Sequence, residues 1–559
     1  MLPPSGGAGC TGLPCPSSSH VRLIARSPSG NRGVFRPAQD CQPPGPPPGG
    51  RRAECARYPG VTDTALPLTE KTTKPETPVL VQKSVPRALF SMAFPMLAGT
   101  FAMNAYGLTD AWFVAQLGTL PLAAMGYIFP VVMLLTCVAR GVGAGVTVLV
   151  ANSVGRSDHS DAARVLTHGV VLTVLMSILM SIGGYLLLEP LFLKLGADQK
   201  LMPLIRRFMV IWYIGAVSMS LPMLGSGVLI SVGDSKAASL FMIVGTLLNL
   251  VLNPIMIFGY FGWPAMGIRG SAMATVVAQT ISTVWLMDLF WRKHRLFAWS
   301  TKGLGRSARR ITRFAVPSIL SLILMPISAS IITKILSGFG HEAVAASGAA
   351  GRIEMFAFVV PMALGISLTP FVSQNFGAGC MDRVRQAQRV STLFALGYGA
   401  FVTVAFFAGA RWLASVFTDD PKVADTLVLY IRIISFGYGM MEVHRYCGFF
   451  LTGMYRPAEA TVLNAVRVIV LLIPCSYIGA HYWGIAGLFG GRLLTDIVVG
   501  CIGLAWVAHA IRHVGAEGGS RALPQRHREA LAPEQAAATE HGDEELRPGL
   551  PPEKWTRQV

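Results

Sequence analysis

Hydrophobic residues dominate twelve long stretches between about residues 87 and 513. A helix needs about 20 apolar residues to cross about 30 Å of hydrocarbon, because its backbone groups find no water there. The stretches begin near Ala88, Leu120, Ala163, Pro203, Ala237, Ile268, Phe314, Ala343, Val390, Val423, Ala458 and Gly484. The pattern predicts an all-α membrane protein with twelve transmembrane helices, called spans 1 to 12.

The second six stretches repeat the first six at a spacing of 222 positions. The matching pairs include Gly118 and Gly340, Ala123 and Ala345, Gly126 and Gly348, Gly143 and Gly365, Thr147 and Thr369, and Gly155 and Gly377. Glycines at matching positions indicate one backbone path used twice, as in carriers built from repeats. The sequence therefore predicts two six-helix lobes, at residues 86–295 and 314–513.

The remaining segments differ in kind from the lobes. Residues 1–85 are rich in Pro, Gly, Ser and Arg, and residues 514–559 are charged and poor in apolar side chains, so we expect both to be disordered. Residues 296–313 are basic and predict a cytoplasmic linker. Because no methionine lies between Met1 and Met92, a later translation start, for example at Val61, is one hypothesis.

Composition and charge support a membrane location. The chain is 52% hydrophobic and 14% charged, against about a quarter charged in soluble proteins. Loops after even-numbered spans hold fifteen Lys and Arg, and loops after odd-numbered spans hold seven. The positive-inside rule then puts both termini in the cytoplasm, in a bacterial inner membrane. We attribute the net charge of +18 to contact with the inner leaflet and expect no nucleic-acid partner.

Signatures of enzymes are absent from the sequence. It has no Walker loop, serine elbow, His-Glu-x-x-His motif or dinucleotide-binding glycine loop, and its cysteines lack metal-ligand spacing. We expect no enzyme, metal or cofactor, and an ion gradient as the energy source. Ionisable residues at membrane depth are then the candidates for coupling. They are Asp110, Lys334, Glu354, Glu442, Arg445, Arg467 and Asp496.

Three groups of motifs resemble those of the multidrug and toxic compound extrusion (MATE) transporters. They are Asn-Ala-Tyr-Gly-Leu-Thr-Asp at 104–110 with Leu-Ala-Ala-Met-Gly at 122–126, Asn-Leu-Val-Leu-Asn-Pro at 249–254, and Gly-Ser-Ala-Met-Ala-Thr at 270–275. The resemblance implies two six-helix lobes around a central cavity, and we expect a monomer. It also implies antiport of protons or sodium against amphipathic, often cationic, compounds.

The same resemblance implies a cation-coupling site in the first lobe at Asp110, Asn249, Asn253 and Thr275, with Tyr106 beside it. Helix geometry permits it, since Asn249 and Asn253 are four residues apart and share a face. Family members with this kind of site usually carry a second carboxylate where Asn253 stands, so we expect protons rather than sodium. The alternatives are an interfacial role for Asp110 and plain interhelical hydrogen bonding for the other residues.

A second candidate charged site lies in the second lobe, at Glu354, Glu442 and Arg445. We expect Glu354 to pair with Arg352, and Arg445 to hold Glu442 as a fixed ion pair. Four large side chains are candidates for lining a substrate cavity, although core packing is the commoner role for such residues. They are Phe129, Met133, Phe356 and Phe358.

The leading functional interpretation is a cation-coupled multidrug efflux antiporter. The alternative is a lipid or glycolipid flippase of the same superfamily, which would need several basic residues facing the cavity. For that role the chain offers mainly Lys334, Arg352 and Arg445. A major facilitator is a third class, but the loop after span 2 lacks the Gly-rich basic Asp-Arg motif of that superfamily.

Overall fold

The computed structural model describes Leu80, residues 83–298 and residues 302–516. These residues form helices and their connections, with no β-strand among them. The predicted disorder of residues 1–85 and 514–559 falls almost wholly on residues outside the described ones, as does the hypothesis of a start at Val61. At the margins the structure differs, because Val85 begins a helix and residues 514–516 end one.

The first lobe consists of eight helices. They are α1 (Val85–Ala115), α2 (Thr119–Gly155), α3 (His159–Leu186), α4 (Leu188–Lys194), α5 (Met202–Ile214), α6 (Ala216–Ser231), α7 (Ser235–Phe258) and α8 (Ile268–Asp288). A π-helical turn at Leu289–Lys293 extends α8. Helices α5 and α6 meet at a bend of 54° and together have the length and apolarity of one span.

The second lobe also consists of eight helices. They are α9 (Leu304–Ser337), α10 (His341–Ala357), α11 (Val359–Gly377), α12 (Met381–Phe417), α13 (Pro421–Ile434), α14 (Tyr438–Gly453), α15 (Pro457–Ala465) and α16 (Ile473–Ala516). A π-helical segment at Val466–Leu472 joins α15 to α16.

Helices α10 and α11 are bent by 58°, whereas their counterpart α2 is one helix. Pro361 lies just beyond the bend and has no N–H to donate to the carbonyl of Ala357. The hydroxyl of Tyr398 donates to that carbonyl instead, at 2.8 Å. The proline therefore accounts for the break, and α12 compensates for the lost backbone bond.

The linker between the lobes is shorter than predicted. Helix α9 begins at Leu304, after Gly303 with φ of 84°, so the basic residues up to Arg313 lie in its first turns. Ser307 and Ile311 are buried on one face of these turns. The prediction took charge as the mark of a loop, but an amphipathic helix carries charge on its exposed face.

Nine helices among the described residues are long and apolar enough to cross a membrane, or eleven when each bent pair counts as one span. The last of the nine, Pro457–His513, has 57 residues and a break at Gly484, where φ is 61°. Across this break Gly479 and Gly487 lie so close that a side chain on either would collide with the carbonyl of the other. The chain therefore reverses there, and the exact number of twelve spans stays a prediction.

The predicted repeat appears in the bounds and contacts of the helices. Helices α10 and α11 together cover the range of α2 shifted by 222 positions, and α14 covers the shifted range of α6. The hydroxyl of Ser239 donates to the carbonyl of Pro95 in the first lobe. The equivalent Thr461 donates to the carbonyl of Pro317 in the second, at 2.7 Å. The two lobes are thus built on one plan.

The lobes touch at the end of the bundle that carries the linker, called the linker end. Ser373 of α11 donates to the carbonyl of Val148 in α2 at 2.8 Å, and Gln374 donates to the carbonyl of Ser231 at 2.5 Å. Both side chains donate directly to backbone carbonyls of the other lobe, so the helices approach closely.

Charged residues also connect the two lobes at the linker end. Asp161 of α3 forms an ion pair with Arg310 of α9 at 3.1 Å. The repeat equivalent of Asp161 is Arg383, which donates to the carbonyls of Leu80 (3.0 Å) and Lys83 (2.6 Å) just before α1. The third span of each lobe therefore holds the beginning of the other lobe's first helix, with opposite charge in the two lobes.

Candidate functional site

The predicted first-lobe site lies where α1, α7 and α8 meet. Asp110 is half-buried on α1. Its Oδ1 accepts hydrogen bonds from the hydroxyl of Ser271 on α8 at 2.9 Å and from Nδ2 of Asn253 on α7 at 3.2 Å. Two helices of the same lobe thus hold one carboxylate oxygen.

A chain of hydrogen bonds continues from this carboxylate through the lobe. Asn253 also donates to Oδ1 of Asn249 at 2.9 Å, and Asn249 donates to the hydroxyl of Thr275 at 3.1 Å. Tyr106 donates to the same hydroxyl at 3.1 Å. The structure therefore brings all five predicted side chains into one network, and their role in coupling stays a prediction.

Ser271 belongs to this network although the sequence analysis did not single it out. It lies four residues before Thr275, so both side chains lie on one face of α8. Gly270 beside it lets α8 approach α7, because a Cβ there would collide with the carbonyl of Met256. The signal that could have found Ser271 is this spacing within the motif at 270–275.

Asp110 has no basic partner among the residues that the structure describes. Oδ1 of Asn253 is buried and accepts no hydrogen bond within the same part of the chain. The site thus combines one negative charge with one free acceptor, which a proton or a small cation can occupy. No group of three or more His, Cys, Asp and Glu with metal-binding geometry occurs in the described residues.

Glu354 in the second lobe is bound differently. Its two oxygens accept hydrogen bonds from NH2 of Arg492 at 2.8 and 3.0 Å, and Oε1 also accepts from Tyr430 (2.8 Å) and Tyr438 (3.3 Å). The expected pairing with Arg352 was wrong. Residues two apart on a helix point to nearly opposite sides, and Arg352 is exposed.

The other second-lobe acids also lie beside arginines. NH1 of Arg445 is 3.1 Å from Oε1 of Glu442, close enough for an ion pair but without the alignment of a hydrogen bond. Glu442 is only 1% exposed. Arg467 forms an ion pair with Asp496 at 2.9 Å. Each predicted acid of the second lobe therefore has an arginine next to it.

The two lobes consequently differ in chemistry despite their common plan. The repeat equivalent of Asp110 is Ile332, and Lys334 is exposed in the last turn of α9.

Of the candidate cavity residues, Phe129 (65%) and Phe356 (45%) are clearly exposed. Arg140 and Arg492 were not among the predicted site residues, although each is a charge within an apolar stretch.

Comparison with protein families gives a match over both lobes. The family model described as MatE matches residues 95–255 and 317–478. The FAD transporter of Shewanella oneidensis is 33% identical over 426 residues, which cover 75% of this chain and 94% of the relative. The probable multidrug resistance protein YoeA of Bacillus subtilis is 23% identical over 423 residues, 74% of this chain and 89% of the relative.

Solved structures give the same fold. The crystal structure of the Vibrio cholerae MATE transporter VcmN in the bent form superposes with a TM-score of 0.73 at 28% identity. It covers 77% of this chain and 97% of that one.

Proposed function

The chain belongs to the MATE family of membrane transporters, and on that premise we propose that it is a secondary active antiporter that exports amphipathic compounds in exchange for protons. The observation that carries this proposal is which acidic side chains at membrane depth have a basic partner. Glu354, Glu442 and Asp496 each have an arginine beside them, and Asp110 has only neutral donors among the described residues. A carboxylate without a counter-ion at membrane depth is a group whose charge can change during a cycle.

Protons suit this site better than sodium. Sodium requires several oxygen ligands and a negative charge to offset its dehydration. The first-lobe network offers one carboxylate and one free amide oxygen, that of Asn253, because the amide oxygen of Asn249 already accepts a hydrogen bond from Asn253. A proton needs only Asp110 itself, after which Ser271 and Asn253 can rearrange their donors. Sodium is the alternative coupling ion.

We also propose that the protein lies in the bacterial cytoplasmic membrane with both termini in the cytoplasm. The support is the excess of Lys and Arg in the loops on the side of the linker end. With this orientation, the contacts between the lobes close the cytoplasmic side. That side would open when the lobes rock and these contacts separate.

Two substrate classes fit the proposal. The family resemblance implies amphipathic cations, and the name of the Shewanella relative points to FAD. The lipid flippase alternative is not favoured, because the relatives described above are named as multidrug or FAD transporters.

The test is transport by the purified full chain in proteoliposomes. An imposed pH gradient should drive efflux without sodium, and Asp110→Asn should abolish this drive while the protein still reaches the membrane. Asp382→Asn, at an exposed carboxylate on α12, is the matched control and should transport normally. Efflux that requires sodium and ignores pH would contradict the proton assignment, and full activity of Asp110→Asn would contradict the site.

A further inference from the structure

We propose that the space between the lobes holds a subsite for the negative group of an amphipathic anion, formed by Arg140 of the first lobe and by Arg352 and Arg445 of the second. The ligand would be a phosphate or carboxylate attached to an aromatic or apolar body. This inference rests on the proposed transport function and names the substrate class of the same protein.

Arg140 is an exposed charge inside a transmembrane helix. It lies on α2, 15 residues before the end of that helix at Gly155. No carboxylate among the described residues forms an ion pair with it. A charge at this depth is costly where it meets lipid, so such residues face a bundle interior or a water-filled cavity and mark substrate paths.

The contacts of α2 fix the direction in which Arg140 points. Gly141 packs against α9, Gly143 packs against α6, and the carbonyl of Val148 accepts a hydrogen bond from α11. Successive residues on a helix are about 100° apart. Arg140 therefore projects into the gap between α6 of its own lobe and α11 of the other lobe.

This gap lies inside the molecule. The opposite gap beside α2, between α3 and α9, is closed at the linker end by a hydrogen bond of 2.8 Å between His168 and Ser307. On the side that Arg140 faces, Phe101 of α1 packs against Phe356 of α10, with ring centroids 6.5 Å apart. Helix α1 thus bounds the gap, which is the space between the lobes.

Arg352 faces the same space from the second lobe. It is exposed and lies four residues before Phe356, so the two side chains share the face of α10 that meets α1. Glu354 lies on the opposite face, where Arg492 binds it. No carboxylate in the described part of the chain forms an ion pair with Arg352.

Arg445 brings a third guanidinium to a position equivalent to that of Arg140. The repeat equivalent of Arg140 is Met362, and NH1 of Arg445 lies 3.7 Å from the sulfur of Met362. The guanidinium of Arg445 also lies over the ring of Phe358, 5.4 Å from its centroid. The repeat equivalent of Arg445 is in turn a methionine, Met223. Each lobe therefore places one guanidinium at the equivalent position, from α2 in the first lobe and from α14 in the second.

The charges of these side chains favour an anion. Glu442 balances Arg445, which leaves Arg140 and Arg352 uncompensated. The planar fork of a guanidinium binds phosphate and carboxylate with two parallel hydrogen bonds, and the exposed rings of Phe129 and Phe356 offer surface for an aromatic body. A membrane potential that is negative inside also favours the export of an anion.

Binding to the full chain in lipid nanodiscs tests the proposal without any ion gradient. The probes are FMN and riboflavin, which share the flavin ring and differ by the phosphate, with ethidium as a cation. FMN should bind at least about tenfold more tightly than riboflavin, which is the effect of one hydrogen bond between charged groups. Arg140→Gln should remove most of this difference and leave riboflavin binding unchanged. Arg411→Gln, at an exposed arginine of α12, is the control and should bind like the wild type.

Further variants separate the possible failures. Arg352→Gln should reduce the FMN preference independently of Arg140→Gln, and Arg140→Lys should retain part of it. Fluorescein, an anion with a carboxylate, shows whether Arg140 recognises carboxylates as well as phosphates. Asp110→Asn should keep the preference for FMN even though the proposed coupling is lost. Equal binding of FMN and riboflavin, tighter binding of ethidium than of FMN, or equal losses of both flavins in Arg140→Gln would overturn the subsite.

Discussion

Gly155 and Gly377, equivalent residues of the two lobes, each lie against the backbone of the helix that ends in the other. A Cβ on Gly155 would collide with the carbonyl of Gln374, and a Cβ on Gly377 with the carbonyl of Asn152. Gln374 and Asn152 are themselves 222 positions apart. The linker end is thus closed by a symmetric contact that leaves no room for side chains.

Adding one methyl group at this contact should change the distance between the lobes strongly. Gly155→Ala or Gly377→Ala should push the lobes apart at the linker end, because backbone atoms cannot move away as a flexible side chain can. Distances between spin labels on α3 and α9 would show the shift, together with slower transport. Gly126→Ala and Gly348→Ala are matched controls, since nothing lies within 4 Å of a Cβ at either position. A normal distance distribution in Gly155→Ala would contradict the closure.

The ion pair between Asp161 and Arg310 should also stabilise the closed linker end. A double-mutant cycle with Asp161→Asn and Arg310→Gln would measure its contribution to the equilibrium between the open and closed states. We expect a coupling energy of about 1 kcal/mol or more, because the side chains are only 11% and 16% exposed. Strictly additive effects of the two substitutions would show that the pair is incidental.

The outer ends of the lobes should approach each other in the opposite state. Cysteines at Gly118 and Gly340, which precede α2 and α10, should form a crosslink when the linker end opens and should then block transport. Each residue has φ above 100°, so the single substitutions serve as controls for backbone strain. Undiminished efflux by the crosslinked protein would mean that the lobes do not rock.

Glu354 and Arg492 should act as structural partners. Glu354→Gln should destabilise the protein by about 3 kcal/mol, because it removes the carboxylate that binds the mostly buried guanidinium of Arg492 and leaves only the more distant Asp496, at 3.9 Å. Replacing both residues with apolar ones, Glu354→Leu with Arg492→Met, should recover most of this loss. Equilibrium unfolding in detergent measures both. A fully stable Glu354→Gln would move Glu354 from the structural to the functional candidates.

Much of this architecture could be predicted because membrane helices and glycine repeats leave local signals. The motifs at 104–110, 249–254 and 270–275 also indicated the residues that meet around Asp110. The partner of Glu354 could not be predicted, since Arg492 lies 138 positions away in the sequence and the two meet only because α10 and α16 both pack against α13. The bend between α10 and α11 depends on Pro361. The repeat did not predict this bend, because the counterpart in the first lobe, α2, is one helix.

In the proposed transport cycle, Asp110 carries the proton that is exchanged for substrate. Coupling is reciprocal, so an outward substrate gradient alone should drive protons into proteoliposomes that start without a pH gradient. A pH-sensitive dye inside the vesicles would report this influx. Acidification is expected with the wild type and with Asp382→Asn, and none is expected with Asp110→Asn. Acidification of the same size with Asp110→Asn, or none with the wild type while substrate leaves, would contradict it.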